Sequence, residues 1–176
     1  MSLTSRPPFW VAMGTLTCVF HLGLIFYGLV PNLVSRPLHM ALLLPWVFVF
    51  SAKRRVSLAT GLPIAAIGIC CCLWIAWNQQ MLRNQYGFLE GRAQVWMAIA
   101  LLLIAVEGAR RMIGWPLPLV ALAALAYGLF GQHLPGEFGH SGTPLPSFLG
   151  TLTIAEGGLW GSLTGVSVNV VAIFVI

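Results

Sequence analysis

The charged side chains of this protein, nine Lys or Arg and four Glu with no Asp, stand so far apart that they leave long uncharged intervals: residues 7–35, 37–52, 56–82, 93–106, 112–136, 138–155 and 157–176. A helix crosses the apolar core of a bilayer, about 30 Å thick, in roughly 20 residues, and most of these intervals reach or approach that length. Only 7% of residues are charged and 59% are hydrophobic, whereas a soluble domain carries about a quarter charged. The pattern excludes a soluble globular fold. It predicts an all-α, polytopic integral membrane protein of about five transmembrane helices, an interfacial helix and a truncated further span. Nucleic-acid binding is excluded too, because the basic residues come singly or in twos and threes between apolar runs and form no stripe.

The first run, Trp10–Val30, is 21 residues long, about 31 Å as a helix. It outruns the core of a secretory signal, about 7–15 residues, and no small-x-small cleavage site follows, so it reads as an uncleaved anchor. The second, 37–52, starts at Pro37, suited to a first helical turn, and carries Pro45 as a kink. The third, 58–77, ends in Trp74 and Trp77, at a level where indoles favour the membrane interface. The fourth, 93–106, has 14 residues and must borrow length from Arg92 and from the turn Glu107–Arg111. The fifth, 113–130, precedes a Gly/Pro/His loop, 131–146, without basic residues. Beyond it Leu145, Phe148, Leu149, Leu152, Ala155 and Leu159 recur at helical spacing, which predicts a helix lying in the interface. The chain then runs apolar from Val166 and stops, so the reading frame looks cut short.

Counting basic residues sets the orientation. With the amino terminus in the cytoplasm, Arg6, Lys53, Arg54, Arg55, Arg110 and Arg111 lie inside, and Arg36, Arg83 and Arg92 outside, as the positive-inside rule prefers.

Few residues suggest chemistry. The four Glu are at least 17 positions apart in sequence, so no local carboxylate pair points to acid–base catalysis, and the expectation is a protein that is not an enzyme. Cys70, Cys71 and Cys72 are consecutive, so on a helix they point about 100° apart and cannot face one metal; they read as packing thiols. His21 and His39 sit in the first two spans, where facing histidines are conceivable haem ligands, although nothing specifies the pairing. His133 and His140 with Glu137 share the outer loop, which reads as a flexible polar connection. Glu107, Arg110 and Arg111 have the i, i+3, i+4 spacing of a helical ion pair. Gly157, Gly161 and Gly165 form overlapping small-x-x-x-small steps, continued by Asn169, the one weak candidate for substrate contact.

The run Val106-Glu107-Gly108-Ala109-Arg110-Arg111-Met112-Ile113-Gly114-Trp115-Pro116-Leu117-Pro118 is similar to the "EATRRVVGWALP" stretch of fused permeases of TRAP transporters, the tripartite ATP-independent periplasmic transporters. Ala126–Gly136 resembles that family's "YALFGPYLPG", Glu156–Ser167 its "EGIFGIPLGVS", and Arg36-Pro37-Leu38-His39 its Arg-x-x-His pattern at the start of the second span. Residues 56–92 match in hydropathy alone.

The resemblance implies three parts: a four-helix small-subunit-like scaffold over 1–112, a linking helix and outside loop over 113–147, and an interfacial helix with the start of the large transport subunit over 148–176. It further implies a bacterial inner-membrane permease for secondary uptake of a small organic acid. A periplasmic solute-binding protein of the TAXI class would deliver the substrate, sodium would be the coupling ion, and membrane lipid and the rest of the large domain would be partners. The helices and hairpins that carry substrate and sodium sites in the family would lie past Ile176. The chain alone is therefore expected not to transport, and no transport residue carries over. His39, Glu107, Arg110, Arg111 and Glu156 match family positions without an assigned role. The rival expectation is a free-standing membrane assembly or accessory protein with a redox cofactor on His21 and His39.

Overall fold

In an apolar solvent every backbone N–H and C=O must be satisfied within the chain, so the membrane-length runs become helices. The computed structural model describes residues 8–28, 30–50 and 55–171. Arg6, Lys53 and Arg54 of the charge count, and residues 172–176 of the expected further span, lie outside them. The described residues form α1 (Pro8–Tyr27), α2 (Asn32–Pro45), α3 (Arg55–Trp77), α4 (Gln79–Asn84), α5 (Arg92–Ile113), α6 (Pro116–Phe130), α7 (Leu145–Thr153) and α8 (Ser162–Val166), with no strand among them. Wider π-helical turns continue α2 over Trp46–Phe50 and α8 over Ser167–Val171.

Four helical stretches are long and apolar enough to cross a membrane: Pro8–Tyr27, Asn32–Phe50, Ser57–Trp77 and Arg92–Ile113. The second begins earlier than the sequence suggests, so Pro37 lies inside α2 rather than in its first turn, and Pro45 is followed by the π-helical turn. The fourth runs through the charged cluster to Ile113 and reaches 22 residues, about 33 Å. Gly114, at φ 91°, ends it, a backbone conformation that glycine adopts at no steric cost. The expected fifth span is helical but has 15 residues, about 22 Å, because it starts only at Pro116.

One further expectation is corrected. The helical spacing over Leu145–Leu159 does not make one helix: α7 stops at Thr153, and residues 154–161 fold back as turns, with Leu159 N–H donating to the Leu152 carbonyl at 2.7 Å. Gly158 packs so closely on Leu152 that a Cβ there would overlap its backbone.

The helices pack in sequence order, α1 on α2, α2 on α3, α3 on α5 and α5 on α6, while α7 returns to α5 and α8 to α2. Trp10, Trp46 and Phe50 cluster their rings where α1 starts and α2 ends. At the other end Leu33, Leu82, Ile154 and Trp160 share one buried cluster. Large apolar side chains such as Val19, Leu62, Ile67, Leu103 and Val120 are exposed, whereas His21, Ser35, His39, Gln94 and Thr153 are buried. This distribution suits a chain whose helices face lipid.

Candidate functional site

On α2, Asn32, Arg36 and His39 stand at i, i+4 and i+7, which is one face of a helix. That face meets residues 124 to 128 positions further along the chain. Asn32 Nδ2 donates to Glu156 Oε2 at 3.0 Å. Arg36 Nη1 donates to the Trp160 carbonyl and, at 3.2 Å, to the Gly161 carbonyl. His39 Nε2 and Ser167 Oγ are 3.1 Å apart. The seam is placed from below by buried Trp160, whose indole N–H donates to the Thr153 carbonyl at 2.6 Å, and from the side by Gly165, where a Cβ would come within 2.8 Å of Arg36 Nη2.

α1 extends this seam inward. His21 Nδ1 lies 2.7 Å from the Thr17 carbonyl and His21 Nε2 lies 2.7 Å from His39 Nδ1. A carbonyl can only accept, so neutral His21 carries its proton on Nδ1. Its Nε2 then accepts from His39 Nδ1–H, and His39 Nε2 accepts from the Ser167 hydroxyl. One set of neutral tautomers satisfies every ring nitrogen. His39 lies seven residues into α2 and His21 six before the end of α1, so both sit about 10 Å along the helix axis from the turn that joins the two helices. The rings are 2% and 6% exposed as whole residues, His21 and His39 respectively.

The pair thus faces across two helices, ring nitrogen to ring nitrogen. A metal–imidazole bond of about 2 Å would hold two ligating nitrogens about 4 Å apart, and here the facing nitrogens are 2.7 Å apart. The arrangement has no room for an iron between the rings.

The other sequence candidates fall in three places. Gly157 and Gly161 lie in the turns ahead of α8 and only Gly165 is on that helix, so the three glycines form no common helical stripe. Asn169 is in the π-helical continuation and exposed. Glu156 adds a 3.8 Å ion pair with Arg83, whose side chain is 58% exposed, a geometry worth little by itself. The sequence singled out Arg36 and His39 on one side of the seam and the Glu156–Ser167 run on the other, but nothing in it joined the two, and Asn32 was missed.

Glu107, Arg110 and Arg111 form a second polar centre at the opposite end. Arg110 Nε and Nη2 donate to Glu107 at 2.6 and 2.7 Å, and Arg111 Nε at 2.7 Å. Arg111 also reaches α3, donating to the Ser57 carbonyl at 3.2 Å and to Thr60 Oγ1 at 3.1 Å, with its guanidinium 5.0 Å from the Phe48 ring. Two cations on one carboxylate let a charged segment stay helical and dock α5 on α3. The Glu107, Arg110 and Arg111 side chains are 26%, 36% and 12% exposed, between an exposed pair and a buried one. Glu107→Ala is therefore expected to cost about 1–2 kcal/mol. Unfolding in mixed micelles followed by helical circular dichroism measures it, and an unchanged transition would show that the arginines find partners without Glu107.

In the loop, His133 Nδ1 lies 3.3 Å from the Phe130 carbonyl, while His140 has carbonyls at both ring nitrogens, Ser141 at 2.8 Å and Tyr127 at 3.1 Å. Among the described residues no group of three metal-ligating side chains assembles, and these histidines and Glu137 do not share a site. Two acceptors call for two N–H donors, so the Ser141 and then the Tyr127 carbonyl raise the His140 pKa above its ordinary value. The sign follows from linkage: the loop gains stability that is complete below the unfolded value of about 6.5 and is lost as pH rises through the folded value. An NMR titration of His140 should give a midpoint above 6.5; one at or below it would mean that the carbonyl contacts do not persist.

Comparison of this chain with protein-family models, with curated proteins and with solved structures gives no match.

Proposed function

We propose that this chain is the scaffold part of a TRAP-type permease, lying in a bacterial inner membrane with its amino terminus in the cytoplasm, and that it is not an enzyme. One observation carries the reading. Two of the blocks that resemble the family, Arg36–His39 and Glu156–Ser167, lie more than a hundred residues apart and contact each other through the Arg36 and His39 hydrogen bonds. A small-subunit-like bundle that must hold the start of a transport domain needs such a seam. Another of these blocks, Val106–Pro118, supplies the Glu107 centre, which secures α5 to α3. The orientation rests on the basic residues, six against three, by the positive-inside rule.

On this reading the transport domain and a TAXI-class periplasmic binding protein are the partners, a small organic acid is the cargo, and sodium supplies the driving force. The scaffold itself does not carry solute. Reading the coding sequence past the codon for Ile176, and assaying organic-acid uptake on a sodium gradient in proteoliposomes, tests it. Further apolar spans and no uptake by the 176-residue chain alone are expected; uptake by that chain alone, or an unrelated downstream sequence, would overturn the reading.

A further inference from the structure

Ionisable side chains among membrane helices are rare and mark ion and proton pathways, and the His21–His39 pair is buried between α1 and α2 with every ring nitrogen engaged, the last by Ser167 in the continuation of α8. We propose that this pair is a binding site for one proton, filled and emptied only through Ser167, and that filling it tightens residues 162–171 on α2.

The balance runs atom by atom. In the neutral state the Ser167 hydroxyl donates to His39 Nε2, His39 Nδ1–H donates to His21 Nε2, and His21 Nδ1–H donates to the Thr17 carbonyl. An incoming proton, from water, bonds to His39 Nε2. Ser167 turns its hydroxyl away and accepts from the new N–H, and the positive charge is shared along the Nδ1–H–Nε2 bridge between the rings. No covalent bond other than N–H forms or breaks. Charge-assisted hydrogen bonds are about twice as strong as neutral ones, so the loaded bridge holds together. At its far end the Thr17 carbonyl accepts but has no proton to pass on. The pair is therefore a pocket with one mouth and not a wire across the membrane.

The groups facing the pair set the consequence. From α1 come the Thr17 carbonyl and the Phe20 ring, edge-on to His21 at 5.1 Å; from α2, the Arg36 guanidinium one turn away on the same face; from α8 and its continuation, Ser167. No carboxylate among the described residues bonds to either ring: Glu156 is held by Asn32 and Arg83, and Glu107 by Arg110 and Arg111. A proton on His39 thus adds a second positive charge beside Arg36, with no counterion, on the face that holds α8. It also turns the Ser167 bond into a charge-assisted one, stronger than the neutral bond it replaces, and the groups that the facing segment presents here, the Trp160 and Gly161 carbonyls and Ser167 Oγ, all accept from a cation. Acid tightens this segment on α2; neutral and alkaline conditions relax it. The inference needs only these contacts and stands whether or not the chain serves a permease.

The test uses the full chain in lipid nanodiscs with ¹⁵N-labelled histidine, and His133→Gln and His140→Gln to clear the other two rings. At pH 8 both His21 and His39 should show the Nδ1–H tautomer, and acidification to pH 4 should move both together in one step of one proton. Ser167→Ala should weaken that proton's binding about tenfold, with Ser167→Thr restoring it. Hydrogen exchange in residues 162–171 should slow severalfold across the same step. Independent titrations of the two rings, an Nε2–H tautomer on either ring at pH 8, no uptake down to pH 4, a step indifferent to Ser167→Ala, or unchanged or faster exchange in residues 162–171 would each overturn the proposal.

Discussion

Arg36→Met is expected to cost the chain about 4 kcal/mol and to release residues 154–171 from α2. Methionine keeps an unbranched apolar stem but lacks the guanidinium, so the carbonyls of Trp160 and Gly161 lose the Arg36 Nη1 that donates to both. Both residues are buried, and water cannot replace the lost donors cheaply. Hydrogen bonds from a charged donor contribute about 1.5–3 kcal/mol each, and an orphaned buried acceptor adds its own desolvation cost. Hydrogen exchange reads the result locally: protection should fall across 154–171 and persist in α3 and α5. Uniform loss over all helices would show instead that Arg36 supports the whole bundle, and undiminished protection would show that Trp160 packing alone holds the segment.

Gly61→Ala should cost about 3 kcal/mol, near the top of the range for overpacking. Gly61 sits on α3 where the helix crosses the π-helical turn after α2, and a Cβ there would run into the Phe48 backbone carbonyl and come within 3.0 Å of Arg111 Nη1. The obstacle is main chain, which cannot rotate out of the way as a side chain can. Separating α2 from α3 at this point also pulls Phe48 from its buried cluster with Leu44, Ala65 and Ile104. The unfolding midpoint in mixed micelles measures the loss; wild-type stability would mean that the two helices can part there without consequence. Gly14→Ala is the control, because its nearest neighbour, the Trp46 ring, is 3.9 Å away.

The spanning helices were legible because lipid imposes one rule, about 20 apolar residues without a charge, and a linear scan reads it. The same rule stopped short at Glu107, yet α5 continues to Ile113 because two arginines neutralise that carboxylate within its own helix. Gly157, Gly161 and Gly165 misled for a different reason. Small residues suit both a close helix crossing and a tight turn, and what decides between them here is the approach of Gly158 to the Leu152 backbone, a contact with no periodic signature. Of the seam, Arg36 and His39 could be read on α2, while Asn32 could not. The facing of His21 and His39 was conceivable from their spans, but the third member, Ser167, lies 128 residues from His39, and neither period nor charge links them.

The equal depth of His21 and His39 has an electrical meaning. The pair lies about 10 Å from the end of the bundle where α1 turns into α2, roughly a third of the way through a hydrocarbon core of about 30 Å. Moving one elementary charge through the whole membrane potential involves about 2.3 kcal/mol per 100 mV. A proton entering from that end crosses about a third of the field, so 100 mV changes its binding by about 0.8 kcal/mol, or about fourfold in affinity. The position of two side chains along their helices thus makes the docking of α8 sensitive to voltage as well as to acidity.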